Sequence, residues 1–148
     1  MSVKTSQKIL DRVLSILIVL IVLSTLGMLA YQVASPGTKE KFTEFYILGL
    51  DGQANDYPTK LKVGEEGKII IGIINREQAV ATYRVEIRID GAVNDEVGPI
   101  TLQHNENWQD VVRFTPVHVG DKQKVEFLLY KAGQTGIYQQ LYLYVDVQ

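Results

Sequence analysis

The side chains able to do covalent or metal chemistry are few and scattered. There is no cysteine, so disulfides, thiolate metal sites and cysteine nucleophiles are all excluded. Serine occurs only at positions 2, 6, 15, 24 and 35. The remaining 113 residues therefore offer no Ser-His-Asp arrangement. Histidine occurs twice, as His104 in Gln103-His104-Asn105-Glu106-Asn107 and as His118 in Pro116-Val117-His118-Val119-Gly120. A catalytic zinc needs three convergent ligands and an open position. Neither histidine has a ligand neighbour at fixed spacing, so both read as turn or surface residues and no metal or other cofactor is expected.

Carboxylates come next. Glu65-Glu66 and Asp95-Glu96 are the adjacent acidic pairs that a glycoside hydrolase could use. Neighbours on a strand point to opposite faces, however, and both pairs sit among glycines, where acidic residues form solvated turns. Asp51-Gly52-Gln53-Ala54-Asn55-Asp56 could gather oxygen ligands for calcium, but it lacks the alternating ligands and closing Glu of a hand loop. It reads as a turn, as do Asp90, Asn94, Asp95 and Glu96. What stands out instead is aromatic. If residues 124–130 and 140–147 pair as a hairpin, one face presents Leu128, Tyr130, Tyr142 and Tyr144 together, beside Glu126 and Asp146. Contiguous exposed rings of this kind mark protein contacts or stack on sugars.

Two kinds of element must carry these residues. Residues 13–33, VLSILIVLIVLSTLGMLAYQV, contain no charge, and 21 residues at about 1.5 Å each span the ~30 Å hydrocarbon core of a bilayer. The segment is apolar on every face, as a lipid-embedded helix requires. Lys4, Lys8 and Arg12 precede it against Asp11 alone, whereas Lys39 and Lys41 beyond it alternate with Glu40 and Glu44. The positive-inside tendency then keeps residues 1–12 in the cytoplasm and exports the rest. An uncleaved signal anchor is expected rather than a cleaved signal peptide, because the run is longer than a usual h-region and ends in Tyr31-Gln32.

Residues 34–41 read as a connector, with Ser35-Pro36-Gly37-Thr38 ending the helix. Residues 42–148 read as an exported domain. Of 15 basic and 17 acidic residues, three and one respectively precede the span, leaving 12 against 16 and a charge of −4. That balance gives no grip on phosphates, so nucleic acid is not an expected partner.

Within the domain, Tyr83-Arg84-Val85-Glu86-Ile87-Arg88-Ile89-Asp90 alternates apolar and charged residues, the signature of a half-buried strand. The same pattern predicts strands at 42–48, 68–75, 100–103, 108–114, 124–130 and 140–147, separated by turn signals such as Asp90-Gly91 and Gly133-Gln134-Thr135-Gly136. No amphipathic helical run intervenes. Seven short strands in about 110 residues predict an all-β, immunoglobulin-like antiparallel β-sandwich. Without a disulfide its centre is expected to rest on Tyr83, Trp108 and Phe127.

The run Phe42-Thr43-Glu44-Phe45-Tyr46-Ile47-Leu48-Gly49 resembles an uncharacterised family of prokaryotic membrane proteins, domain of unknown function 1616. Tyr57-Pro58, Val63-Gly64-Glu65, Gly72-Ile73-Ile74-Asn75-Arg76-Glu77 and Tyr83-Arg84-Val85 follow in the family's order. The resemblance implies a sandwich held at a membrane and supplies no catalytic residues. Family members typically carry several N-terminal spans where this sequence shows one, so no activity of a membrane bundle is implied.

These readings together give a non-enzymatic, membrane-anchored surface or envelope module. It is expected to bind envelope proteins or itself through Tyr130, Tyr142, Tyr144 and Leu128. Glycan binding by the same tyrosines is the alternative, and a hydrolase using Glu65, Glu66, Asp95 and Glu96 a third reading.

Overall fold

A computed structural model describes residues 2–34 and 40–148. The chain divides into two units, Met1–Lys39 and Glu40–Gln148; of the expected connector, residues 35–39 lie outside those described.

Helix α1 (Ser2–Ala34) is 33 residues long and, by length and composition, able to cross a membrane. It begins well before Val13, so the basic N-terminus is helical, and the four-residue spacing of Lys4, Lys8 and Arg12 sets them on one face. The serine and threonine hydroxyls inside the apolar run are satisfied within the helix. Ser15 Oγ donates to the Asp11 carbonyl at 2.8 Å, Ser24 Oγ to Ile21 at 2.8 Å and Thr25 Oγ1 to Val22 at 2.9 Å. These three hydroxyls therefore present no free donor to lipid.

The second unit is an immunoglobulin-like sandwich of eight strands: β1 (Phe42–Leu48), β2 (Lys60–Leu61), β3 (Gly67–Arg76), β4 (Ala81–Ile89), β5 (Ala92–Leu102), β6 (Asn107–Phe114), β7 (Gly120–Lys131) and β8 (Gln139–Val147). One sheet has the order β1-β3-β6 and the other β2-β8-β7-β4-β5. Every pairing is antiparallel except the two-residue contact of β2 with β8, which is parallel.

Two departures from the expected strands have simple causes. β2 is too short to show a period. β5 starts at Ala92 rather than Ile100, because Asp90 and Gly91 take φ of +47° and +83° and close a tight hairpin onto β4. Asn94, Asp95 and Glu96, expected in a turn, therefore lie on a strand. It is an edge strand, where a polar sequence and Pro99 are tolerated.

The two inner faces meet in one core: Ile69, Ile71 and Ile73 from β3; Tyr83, Val85 and Ile87 from β4; Val125, Phe127 and Leu129 from β7; Val145 and Val147 from β8. Each large side chain removed from water contributes about 1.5–3 kcal/mol. Phe114 and Phe127 meet edge to face, 6.3 Å apart at 72°. Phe114 thus takes the central place expected of Trp108, which packs half-buried at the margin. Gly72 lies under Tyr46, where a Cβ would come within 2.0 Å of the ring.

Candidate functional site

The β7–β8 hairpin forms as the alternation predicts. Lys124 pairs with Tyr144, Glu126 with Tyr142 and Leu128 with Gln140. On the other side of β7, Arg84 pairs with Tyr130, Glu86 with Leu128 and Arg88 with Glu126. Since Val125, Phe127 and Leu129 fill the core, all these residues share the outer face.

Charge and aromatic rings interleave there. Arg84 Nη1 binds Glu96 Oε2 at 2.9 Å and Glu86 Oε2 at 3.4 Å, and Arg88 bonds the other Glu86 oxygen. Lys124 Nζ reaches Glu126 Oε1 at 2.7 Å. Its hydrogen bond to Glu126, only partly opposed by desolvation, raises the Lys124 pKa. Desolvation likewise opposes the Arg84 charge, but bonds to Glu96 and Glu86 raise its pKa. The Arg84 guanidinium lies 4.2 Å from the centre of the Tyr130 ring and the Lys124 ammonium 4.9 Å from that of Tyr142. Both are cation–π distances.

Tyr142 and Tyr144 are each 53% exposed and pack edge to face, 5.7 Å apart at 69°. Tyr130 is half-buried under Arg84. Leu128 departs from expectation. It faces outward, yet is only 2% exposed, because the longer Glu86, Gln140, Glu126 and Tyr130 surround it in the register. It floors the face rather than presenting a contact. β1, in the other sheet, does not cover these rings.

Nothing in the strand pattern hints that β8 has an open side. β2 covers only Asp146 and Val147, and between Gln139 and Val145 no described strand pairs with β8 opposite β7. The amides of Asp146 and Gln148 donate to Thr59 and Leu61, away from β7. By strand alternation, the N–H and C=O of Gln140, Tyr142 and Tyr144 point the same way.

A second group, also missed, lies between the two sheets near the Lys131 and Tyr138 ends of β7 and β8. Glu77 Oε1 accepts from Thr43 Oγ1 at 2.8 Å and from the Tyr138 hydroxyl; Glu77 Oε2 meets Lys131 Nζ at 2.7 Å. Thr43 Oγ1 also shares a hydrogen bond with the Tyr83 hydroxyl at 2.7 Å. Burial alone would raise the Glu77 pKa. Hydrogen bonds from Lys131, Tyr138 and Thr43, with the Lys131 charge, outweigh it and hold the pKa below the ordinary value. Desolvation raises the pKa of both Tyr83 and Tyr138. The cluster joins β1 of one sheet to β4 and β7 of the other. It has no unpartnered buried polar side-chain atom among the described residues, so it ties the sheets together.

The remaining candidates are occupied locally. Glu65 Oε2 accepts the Lys62 amide at 2.8 Å, while Glu66 Oε2 lies 3.9 Å from Lys68 and 3.7 Å from Arg113. Asp95 Oδ1 accepts the Glu96 amide, and Glu96 holds Arg84. His104 Nδ1 accepts the Gln78 amide at 3.2 Å. His118 lines a cleft of about 340 Å³ with the exposed Val93, Val117 and Val119. Asp51 Oδ1 accepts the Gln53 amide and Asp90 Oδ1 the Lys124 amide. Among the described residues no three His, Asp or Glu side chains gather as metal ligands do. A larger cleft of about 500 Å³ adjoins the tyrosine face, walled by Arg84, Glu96, Pro99, Tyr130 and Gln134.

These features define a class: an immunoglobulin-like sandwich accompanied by an apolar helix of spanning length. The chain belongs to the family described as Domain of unknown function (DUF1616), which it matches over residues 36–146. Among solved structures it is similar to the CARDB domain of the PF1109 protein from Pyrococcus furiosus, whose crystal structure is in complex with di-metal ions. The identity is 13% and the TM-score 0.54, over 73% of this chain and 89% of that one. A solution structure of the same domain gives 14% and 0.50, over 73% and 97%. Identities this low show the fold alone. No curated protein is significantly similar to the chain.

Proposed function

We propose that the protein is a non-enzymatic, membrane-anchored module of the cell surface or envelope, and that its sandwich makes a protein contact through Tyr130, Tyr142 and Tyr144. The observation that carries this reading is the exposure of two large rings, Tyr142 and Tyr144, on a face otherwise filled by paired charges. Tyrosine gives a large apolar area at small entropic cost, and its hydroxyl finds partners at a wet rim. The 69° angle between the rings favours a protein over a sugar, because a pyranose stacks best on rings presented flat. The family and the sandwich fold are compatible with a module of this kind. Residues 1–12 remain cytoplasmic and residues 42–148 are exported, a reading supported by Lys4, Lys8 and Arg12 before the span.

The test is a photoreactive residue at position 142 of the full chain in intact cells. A discrete crosslinked protein is expected. Capture of nothing, together with a change in tyrosine and tryptophan fluorescence of the detergent-solubilised chain on adding an envelope polysaccharide, would replace protein by glycan. Protease added to cells with a permeabilised outer barrier should remove residues 42–148, and their survival would contradict export.

A further inference from the structure

The open side of β8 has a geometry that selects one occupant. We propose that a second copy of this chain pairs with it, β8 against β8, antiparallel about a two-fold axis at Tyr142, joining two five-stranded sheets into one. This rests on the reading of the tyrosine face as a protein contact and names the partner.

Three observations carry it. The first is the count of backbone groups. The free window runs from Gln139, whose side chain is tied to the Thr43 carbonyl at 2.6 Å, to Asp146, which β2 covers. Inside it Gln140, Tyr142 and Tyr144 direct N–H and C=O outward, and Tyr142 is their midpoint. Antiparallel pairing about Tyr142 sets Tyr142 opposite its twin and Gln140 opposite Tyr144. Every outward donor then meets an outward acceptor, in six hydrogen bonds per pair of chains. A shift of one residue would break this match.

The second is side-chain compatibility. On the inner face the same register sets Leu141 against Leu143, both only partly buried in the single chain. On the outer face it gathers the four exposed rings of Tyr142 and Tyr144. Residues 139–145, Gln-Gln-Leu-Tyr-Leu-Tyr-Val, contain no charge. A two-fold contact brings each residue near its own copy, so a charge at the axis would oppose itself.

The third is contrast with the other edges, which are blunted. β5 carries Asp95, Glu96 and Pro99, with Asp95 Oδ1 on the Glu96 amide. On β6, Asp110 Oδ1 takes the Val111 amide at 2.8 Å. On β1, side chains already fill two carbonyls: Gln139 binds that of Thr43 and Tyr57 that of Ile47, the latter at 3.1 Å. Unprotected edges invite pairing, and proteins usually block them. Here three edges carry such devices, and the free stretch of β8 carries neither charge nor proline.

The absence of native cysteine allows a register test on the full chain in membranes. Opposed residues of a hydrogen-bonded antiparallel pair lie about 5.5 Å apart at Cα, within disulfide range. Under mild oxidation Tyr142→Cys should link into a dimer of twice 16.6 kDa. Gln140→Cys and Tyr144→Cys should link when coexpressed but neither alone, since like positions lie about 14 Å apart. Adding Tyr144→Pro to Tyr142→Cys removes an outward N–H that β7 does not use, and should lower linking about tenfold. Unchanged Trp108 emission checks that each variant folds. Tyr142→Cys linking no better than the exposed β6 control Val111→Cys overturns the proposal, as does linking of Gln140→Cys or Tyr144→Cys alone. A photoreactive residue at 142 separates the two readings. Capture of a different protein without a disulfide dimer sinks self-pairing and leaves the contact face standing, whereas capture of nothing sinks both.

Discussion

The Glu77 cluster and the β8 edge are built from similar parts and use them oppositely. Around Glu77, two tyrosine hydroxyls, a threonine, a lysine and a carboxylate are buried or largely so, and each finds a partner inside the chain. Along β8, two tyrosines remain half exposed and the outward backbone groups of three residues meet no described strand. Polar groups satisfied internally hold a fold together, whereas groups left open at a surface retain free energy for a partner. Perturbed ionisation therefore does not by itself mark the working site. The shifted carboxylate of Glu77 belongs to the fastening of the sandwich.

Mutations should separate the two regions by what they damage. The largest effect is expected at Glu77→Ala, which leaves the largely buried Lys131 without its carboxylate. It should cost about 3–5 kcal/mol, read from urea unfolding of the full chain in detergent micelles through its single tryptophan, Trp108. Partner capture by the folded fraction should be unchanged. Tyr83→Phe removes one buried hydroxyl bond to Thr43 and should cost about 1–2 kcal/mol in the same assay.

Acid should act through the same cluster. The folded pKa of Glu77 lies below the ordinary 4.5, so its contribution is fully present above the unfolded value and is lost as pH falls through the folded one. Glu77→Gln should flatten that part of the acid limb; an unaltered limb would show the carboxylate to be uncoupled. The smallest effect on stability is expected at Tyr142→Lys, within about 0.5 kcal/mol because the position is exposed. The same change should abolish partner capture by a photoreactive residue placed at position 144. If it unfolds the chain instead, the edge belongs to the fastening and the comparison fails.

Much of the fold was legible because the alternation at Tyr83–Ile89, at Phe42–Leu48 and along β7 and β8 is imposed by a core on one side only. β5 was legible only at its end, since an edge strand has little to bury and Asn94-Asp95-Glu96 reads as a turn. Alternation placed Leu128 on the correct face and misjudged its exposure, which depends on Glu86 from another strand. The candidate rings Tyr142 and Tyr144 could be read from one hairpin. The open edge beside them could not, because it follows from strand order. The Glu77 cluster was equally hidden: its contacts join residues 34 and 61 positions apart, and only the unusual placement of Glu77 beside the strand ending Ile73-Ile74-Asn75 hinted at it.

In the cell the β8 edge should be covered by a partner strand. Amide hydrogen exchange of the full chain, compared between native membranes and dilute detergent, reads this cover residue by residue. Gln140, Tyr142 and Tyr144 should exchange rapidly in detergent and become protected in membranes, while Leu141 and Leu143, bonded to β7, stay protected in both. Equal, rapid exchange of the three outward amides in both settings would contradict the account.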